Sequence, residues 1–246
     1  MYPVLEGAES FLFEGNHVGI LVIHGFTGTI QSVRGLGESL ADAGFTVCGP
    51  RLEGHGTHYE ELEQTTYEKW IASVETGYQW LKDRCETIIV LGFSMGGTLT
   101  LYLAEKHPEV KAIILVNPAI EIPQLEELVK QTDLRFVDAI GSDIKDTTSK
   151  ELAYEKTPVK AIKELILLMD KTKRDLHMIE CPALLFVSPE DHVVPPNNSY
   201  LIYDNIISEV KQLFSLNNSY HVATLDYDKQ LIEEKTVRFI SKILEN

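Results

Sequence analysis

Short, β-branched apolar runs recur along the chain at 19–23 (GILVI), 45–48 (FTVC), 88–91 (IIVL), 112–116 (AIILV), 183–187 (ALLFV) and 212–216 (QLFSL). Successive side chains of a strand point to opposite faces, so a run that is apolar at every position has no face left for water and suits a parallel strand covered on both sides. Between these runs the period changes. Ile71, Val74, Tyr78 and Leu81 recur at i, i+3, i+7 and i+10, which places one apolar stripe along a helix over 67–84, and Leu99 and Leu103 mark another. Strands alternating with amphipathic helices predict an α/β fold with a mostly parallel sheet flanked by helices.

The alternation stops after Asn117-Pro118. Residues 119–174 carry helical but irregular patterns (IPQLEELVKQ, LRFVDAIGSDIKD, TPVKAIKELILLMDKTK) and no strand before ALLFV resumes the series. An excursion of that length in a compact fold is usually functional. The expected organisation is a core of residues 1–118 and 175–246 with a helical cap, 119–174, inserted before the strand at 183–187.

Composition narrows the class. The 246 residues are 44% hydrophobic and 24% charged, ordinary values for one large soluble domain. A net charge of −15, from 22 basic and 37 acidic residues, opposes nucleic acid as a partner, because the phosphate backbone would be repelled over most of the surface. Contact with lipid aggregates is expected only as a transient event on apolar surface. Cys48, Cys85 and Cys181 are few, odd in number and placed in or beside apolar runs, which fits reduced thiols. The first 17 residues lack a basic stretch followed by a long apolar one, and nowhere do 18 apolar residues run together, so a cytoplasmic protein without a membrane span is expected.

The sharpest chemical signal is Gly92-Phe93-Ser94-Met95-Gly96, between the strand run at 88–91 and the helical run TLTLYLAEKH. G-x-S-x-G between strand and helix is a nucleophile elbow, a strained turn that small residues allow to close around an exposed serine. Serine is a poor nucleophile at neutral pH and needs a general base, which a third group must hold in the right tautomer. In the α/β-hydrolase fold these follow in the order serine, acid, histidine, on loops after later strands. After ALLFV the loop SPEDHVVPP offers Glu190, Asp191 and His192; after QLFSL the loop NNSYHVATLD offers His221. His24, His55, His58 and His192 compete for the base, and His221 alone closes the order after the last strand. Between Glu190 and Asp191 these considerations leave the acid open.

The tetrahedral intermediate needs two preorganised N–H donors, each worth typically ~3 kcal/mol. Met95, following the nucleophile, supplies one, and Phe26, presented by the turn in LVIHGFTGT after an early strand, supplies the other. Gly54-His55-Gly56-Thr57-His58 holds two histidines three apart without a clear third ligand, so a structural turn is expected there and no metal. Gly35-Leu36-Gly37 lies in a helical stretch and lacks the third glycine of a dinucleotide fingerprint. Trp70 and Trp80, on the helix over 67–84, are expected in the core. No cofactor is required for this chemistry.

Taken together, LVIHGFTGT, GPRLEGHGTHYE, LGFSMGGTLTLYLAEKHP, ELAYEKTP, FVSPEDHVVPP and NSYHVATLDYD make the chain resemble the bacterial monoacylglycerol lipases over nearly its whole length, and more loosely the small bacterial thermostable carboxylesterases. The resemblance implies Ser94, Asp191 and His221 as the triad, resolving the acid in favour of Asp191, with Phe26 and Met95 at the oxyanion. It implies two substrate-binding residues: Glu151, opening ELAYEKTP, as a contact for glycerol hydroxyls, and Ile140, in DAIGSD, facing an acyl tunnel. The expected reaction is hydrolysis of a small acylglycerol through an acyl-enzyme, with a general short-chain carboxylesterase as the alternative.

Overall fold

The computed structural model describes residues 2–245. In chain order the elements are β1 (Phe11–Phe13), β2 (Val18–Ile23), α1 (Gln31–Asp42), β3 (Thr46–Gly49), α2 (Tyr59–Leu62), α3 (Tyr67–Lys82), β4 (Thr87–Phe93), α4 (Met95–Lys106), β5 (Ala112–Val116), α5 (Pro123–Gln131), β6 (Phe136–Asp138), β7 (Lys156–Pro158), α6 (Val159–Asp175), β8 (Ala183–Val187), α7 (Asn197–Asn205), β9 (Lys211–Ser215) and α8 (Lys229–Leu244). Seven strands form one sheet in the order β1-β3-β2-β4-β5-β8-β9. All of its pairings are parallel except that of β1 with β3. This is the mostly parallel α/β-hydrolase sheet that the apolar runs predict.

Period two along each strand divides the core into two layers. Leu21 and Ile23 of β2 join Trp70, Val74 and Leu81 of α3 and Leu99 and Leu103 of α4 on one face. Ile20 and Val22 join Val33 and Leu36 of α1 and Phe239 and Ile240 of α8 on the other. Every residue of β2, β5 and β8 is buried, which is why their sequences carry no polar alternation. Trp70 is fully buried, whereas Trp80, also expected in the core, is only partly covered, its ring lying under the Arg84 guanidinium at 4.4 Å. Strand β1 escaped the sequence pattern because three residues carry no period. Its Phe11 ring fills the space over Gly37 and Gly49, where a Cβ would lie within 2.5 and 2.4 Å of ring carbons.

The excursion between β5 and β8 is not purely helical, as the sequence had suggested. It contains an antiparallel pair, β6 with β7, in which Phe136 faces Pro158 and Asp138 faces Lys156. Each strand is three residues long, too short for alternation to be read. The end of the excursion is a core element: α6 lays Leu165, Leu168 and Met169 into the cluster that holds Leu99 and Leu103. The earlier part is fastened from several sides. Arg135 donates from Nε and Nη2 to the two oxygens of Glu63 at 2.7 and 2.6 Å. The Tyr154 hydroxyl donates to the Gly54 carbonyl at 2.7 Å and accepts the Thr57 N–H at 3.0 Å. The Asp226 carboxylate accepts the N–H groups of Lys145 and Asp146 at 2.7 and 2.9 Å. Among the described residues, no helix is long and apolar enough to cross a membrane.

Candidate active site

Ser94 stands where β4 gives way to α4, with φ 57° and ψ −120°, a backbone conformation that L-residues adopt only when their surroundings enforce it. Its N–H is held by the Val116 carbonyl at 3.0 Å and its carbonyl accepts the Ala119 N–H at 3.1 Å, so β5 and the start of the excursion brace the turn from both ends. The glycine at 96 permits the close approach of β2: a Cβ there would lie 2.2 Å from the Ile23 carbonyl oxygen.

Two later loops converge on this turn. The loop after β8 brings Asp191 and the loop after β9 brings His221. His221 Nε2 lies 2.9 Å from Ser94 Oγ and its Nδ1 lies 2.7 Å from Asp191 Oδ2. This arrangement places the Nδ1 proton toward the carboxylate and leaves Nε2 free to accept from the serine hydroxyl. Asp191 is itself fixed, because its Oδ1 accepts the N–H groups of Val193 and Val194, both at 2.8 Å. Both side chains are buried. Burial alone would lower the imidazole pKa, but the charge and hydrogen bond of Asp191, followed by the charges of Glu151 and Asp143, outweigh it and hold His221 above its ordinary value of 6.5.

The rival acid and bases lie elsewhere. Glu190 is exposed and pairs with Lys145 at 3.2 Å. His192 is exposed and reaches Asp143 through Nδ1 at 2.8 Å. His24 is fully buried, its Nδ1 2.9 Å from the Gly25 carbonyl and its Nε2 accepting the Leu52 N–H at 3.2 Å; burial lowers its pKa to about 4, so it is a neutral brace for the turn that follows β2. His55 packs against His24 and Trp70, and burial likewise takes its pKa well below the ordinary value. His58 caps α2 by accepting the Glu60 N–H.

That braced turn places Phe26 beside the serine. A Cβ on Gly25 would lie 3.2 Å from Ser94 Cβ, and the Phe26 ring packs between His55 and Trp70. The N–H of Met95 opens α4 directly behind Ser94, where the positive end of the helix favours developing negative charge.

Ser94 and His221 open into a cavity of about 320 Å3 whose walls include Phe26, Leu125, Leu128 and Leu165. Both substrate-binding candidates reach it. Ile140 is at its rim, 68% exposed. Glu151 lies deeper, with Oε1 so close to Gly28 that a Cβ on that glycine would approach it to 2.5 Å. Burial pushes the Glu151 carboxyl up to about 7, opposed by the charge of His221. Besides Glu151 and His221, the ionisable side chains lining this cavity are Asp138 and Tyr154, and no lysine or arginine does so among the described residues.

One contributor carried no sequence signal beyond the Asn-Pro break. Asn117, with φ 43°, donates from Nδ2 to Ser188 Oγ at 2.9 Å and to the His221 carbonyl at 2.8 Å, and its Oδ1 accepts the Ser188 N–H at 2.8 Å. It thereby ties the ends of β5 and β8 to the loop that carries the histidine.

The sequence profile of the family described as serine aminopeptidase, S33, matches residues 16–228. The chain is 56% identical over 243 residues to a thermostable monoacylglycerol lipase of Bacillus sp. (strain H-257), spanning 98% of this chain and 97% of that one. It is 32% identical over 240 residues to a carboxylesterase of Bacillus subtilis (strain 168), spanning 96% of this chain and 97% of the relative. Among solved structures it is similar to one reported for the metagenome-derived lipolytic enzymes LipS and LipT, with a TM-score of 0.94 and 47% identity, covering 98% of this chain and 100% of the other.

Proposed function

The chain belongs to the serine aminopeptidase, S33, family, and from that premise we propose that it is a serine hydrolase cleaving carboxylic esters, with monoacylglycerols as its substrates and fatty acid and glycerol as its products. The observation that carries this reading is the single hydrogen-bonded line Ser94 Oγ, His221 Nε2, His221 Nδ1 and Asp191 Oδ2, with links of 2.9 and 2.7 Å.

The chemistry is acyl transfer in two steps. His221 takes the proton of Ser94 as Oγ attacks the ester carbonyl; the N–H groups of Phe26 and Met95 receive the negative oxygen, and Asp191 stabilises the imidazolium. Collapse of the intermediate breaks the ester C–O bond. His221 returns the proton to the departing glycerol oxygen, leaving an acyl-Ser94 ester. Water, deprotonated by His221, repeats the sequence and releases the fatty acid.

Within residues 119–174 the part before α6 acts as a cap over the cavity, while α6, packed in the core, adds Leu165 to its wall. The apolar side, with Leu125, Leu128, Leu165 and the rim residue Ile140, suits an acyl chain, and Glu151 accepts hydrogen bonds from the free hydroxyls of the glycerol. The similarity to the thermostable monoacylglycerol lipase supports this substrate. The similarity to the carboxylesterase supports the second reading, a general short-chain esterase.

Initial rates on matched mono-, di- and triacylglycerols and on ethyl esters of the same acid separate the two readings. A monoacylglycerol lipase with an enclosed cavity is expected to lose rate steeply as a second and third acyl chain are added, and to prefer the glyceryl over the ethyl ester. Equal rates on glyceryl and ethyl esters would leave the general esterase.

A further inference from the structure

We propose that Asp143, in the cap, is a positioning residue that holds the loop of the acid and the loop of the base in register. Its Oδ2 accepts two backbone N–H groups, that of His221 at 3.0 Å and that of His192 at 3.1 Å. His192 directly follows Asp191. Oδ1 lies 2.8 Å from the His192 ring Nδ1, and the backbone carbonyl of Asp143 accepts the Val222 N–H at 3.0 Å. One residue of the cap therefore makes four hydrogen bonds, all to the two loops that meet at Ser94.

Loop 216–228 lies between β9 and α8 and holds only one short helical turn, so the place of His221 depends on side-chain ties rather than on a ladder of backbone bonds. Asp191 holds its ring and Asp143 holds its main chain. The two carboxylates act on opposite ends of the same residue. Hydrogen bonds from N–H to an ionised carboxylate are among the stronger ones in proteins. The side chain of Asp143 is 12% exposed, and its one ion-pair partner among the described residues is the exposed His192 ring. The cavity rim, Ile140 and Gly141, lies on the same short segment of cap, so the substrate wall and the base share one support. The charged groups facing His221 are Asp191 from the acid loop and Glu151 and Asp143 from the cap.

This inference rests on His221 being the base, which His221→Ala tests by itself: activity surviving there defeats that reading whatever Asp143 does. Asp143 is tested with Asp143→Ala, Asp143→Asn and His192→Ala, reading kcat and KM separately, the pH profile, thermal stability and the proton NMR resonance of the His221 Nδ1–H. Asp143→Ala is expected to lower kcat by about 10- to 100-fold, the scale set by small misplacements of catalytic groups, with a smaller change in KM and with the Nδ1–H resonance broadened or shifted. Asp143→Asn keeps an acceptor oxygen and is expected to recover most of kcat, while the acid limb of its profile moves to lower pH because one negative charge near the imidazolium is gone. His192→Ala, which leaves the backbone N–H in place, is expected to stay near wild type. Wild-type kcat and an unmoved resonance in Asp143→Ala would overturn the proposal. So would a kcat in Asp143→Asn as low as in Asp143→Ala. Should the alanine variant fail to fold, Asp143→Leu, which removes the acceptor oxygens and keeps a side chain of similar bulk, decides: wild-type kcat with an unmoved Nδ1–H resonance there overturns the proposal.

Discussion

A methyl group added to Gly92 would lie 2.0 Å from the carbonyl oxygen of Gly96. The two glycines of the elbow are thus in contact with each other across the turn, and the missing side chain at Gly92 is what lets the first turn of α4 lie so close to the end of β4. Gly92→Ala is expected to destabilise the fold by at least about 1–3 kcal/mol, the usual cost of overpacking a closed core, and to abolish hydrolysis by displacing Ser94. Thermal melting and an esterase assay check both; a variant melting with wild type would mean that the turn opens cheaply.

Ser94→Ala removes the covalent path while deleting one hydroxyl that is nearly buried, so it is expected to fold normally and to hydrolyse esters at less than a few per cent of the wild-type rate. His221→Ala is expected to match it. A fluorophosphonate probe should label wild type and His192→Ala but neither of these variants. Labelling of Ser94→Ala would move the nucleophile elsewhere.

Glu151→Ala is expected to lower kcat/KM for monoacylglycerols by about 10-fold or more, because charge-assisted hydrogen bonds to hydroxyls are each worth roughly 1.5–3 kcal/mol and ~1.4 kcal/mol is a factor of ten. Ethyl esters, which present no hydroxyl, should change little. A parallel fall on both substrates would make Glu151 a support of the cap.

The pH dependence has a definite sign. His221 must be neutral to act as base, so activity rises as pH passes upward through its pKa, which the neighbouring carboxylates raise above 6.5. Glu151→Gln removes one of those charges and is expected to move the acid limb of kcat/KM for ethyl esters to lower pH. An acid limb that stays in place would show that Glu151 carries no charge in the working enzyme.

Glu105, on the helix behind the nucleophile, offers a test of stability separate from catalysis. It is buried, neither carboxyl oxygen has a hydrogen-bond partner among the described residues, and burial, followed by the charge of Asp175, pushes its pKa from 4.5 up to about 8. Between those values the unfolded chain gives up a proton that the folded one keeps. Stability is therefore lost as pH rises from the lower value to the higher and changes no further beyond it. Glu105→Gln is expected to be about as stable as wild type near pH 4.5 and more stable, on the order of a few kcal/mol, above pH 8. Melting curves at both ends decide this, and a difference that does not vary with pH would mean that the carboxyl is not held neutral.

The sequence was most readable where burial is complete. β2, β5 and β8 are covered on both faces, and their ends matched the apolar runs to within a residue. At the sheet edge the signal fades: β9 is only half-buried and runs from Lys211 to Ser215, one residue earlier than its pattern suggested. β1, β6 and β7 are each three residues long and present no period at all. That the loops after β4, β8 and β9 meet near Ser94 was readable because parallel topology brings them to one edge of the sheet, whereas the choice of Asp191 over Glu190 came only from the resemblance. Asn117, Asp143 and Asp226 were not. Each is a lone polar residue whose partners, mostly backbone groups, lie up to 104 positions away, and neither periodicity nor a motif records such a pairing.

Asp226 follows β9, yet two of the N–H groups it accepts, those of Lys145 and Asp146, come from the excursion between β5 and β8. A chimera that grafts a relative's segment between β5 and β8 keeps those donors only if its backbone follows the path of 145–146; otherwise a fully buried carboxylate is left short of partners, in the same loop as His221. Exchange of this excursion between relatives therefore depends on matching backbone at the strap as well as matching side chains. Recombination would have to cut so that the strap 143–146 and the loop 216–228 are inherited together.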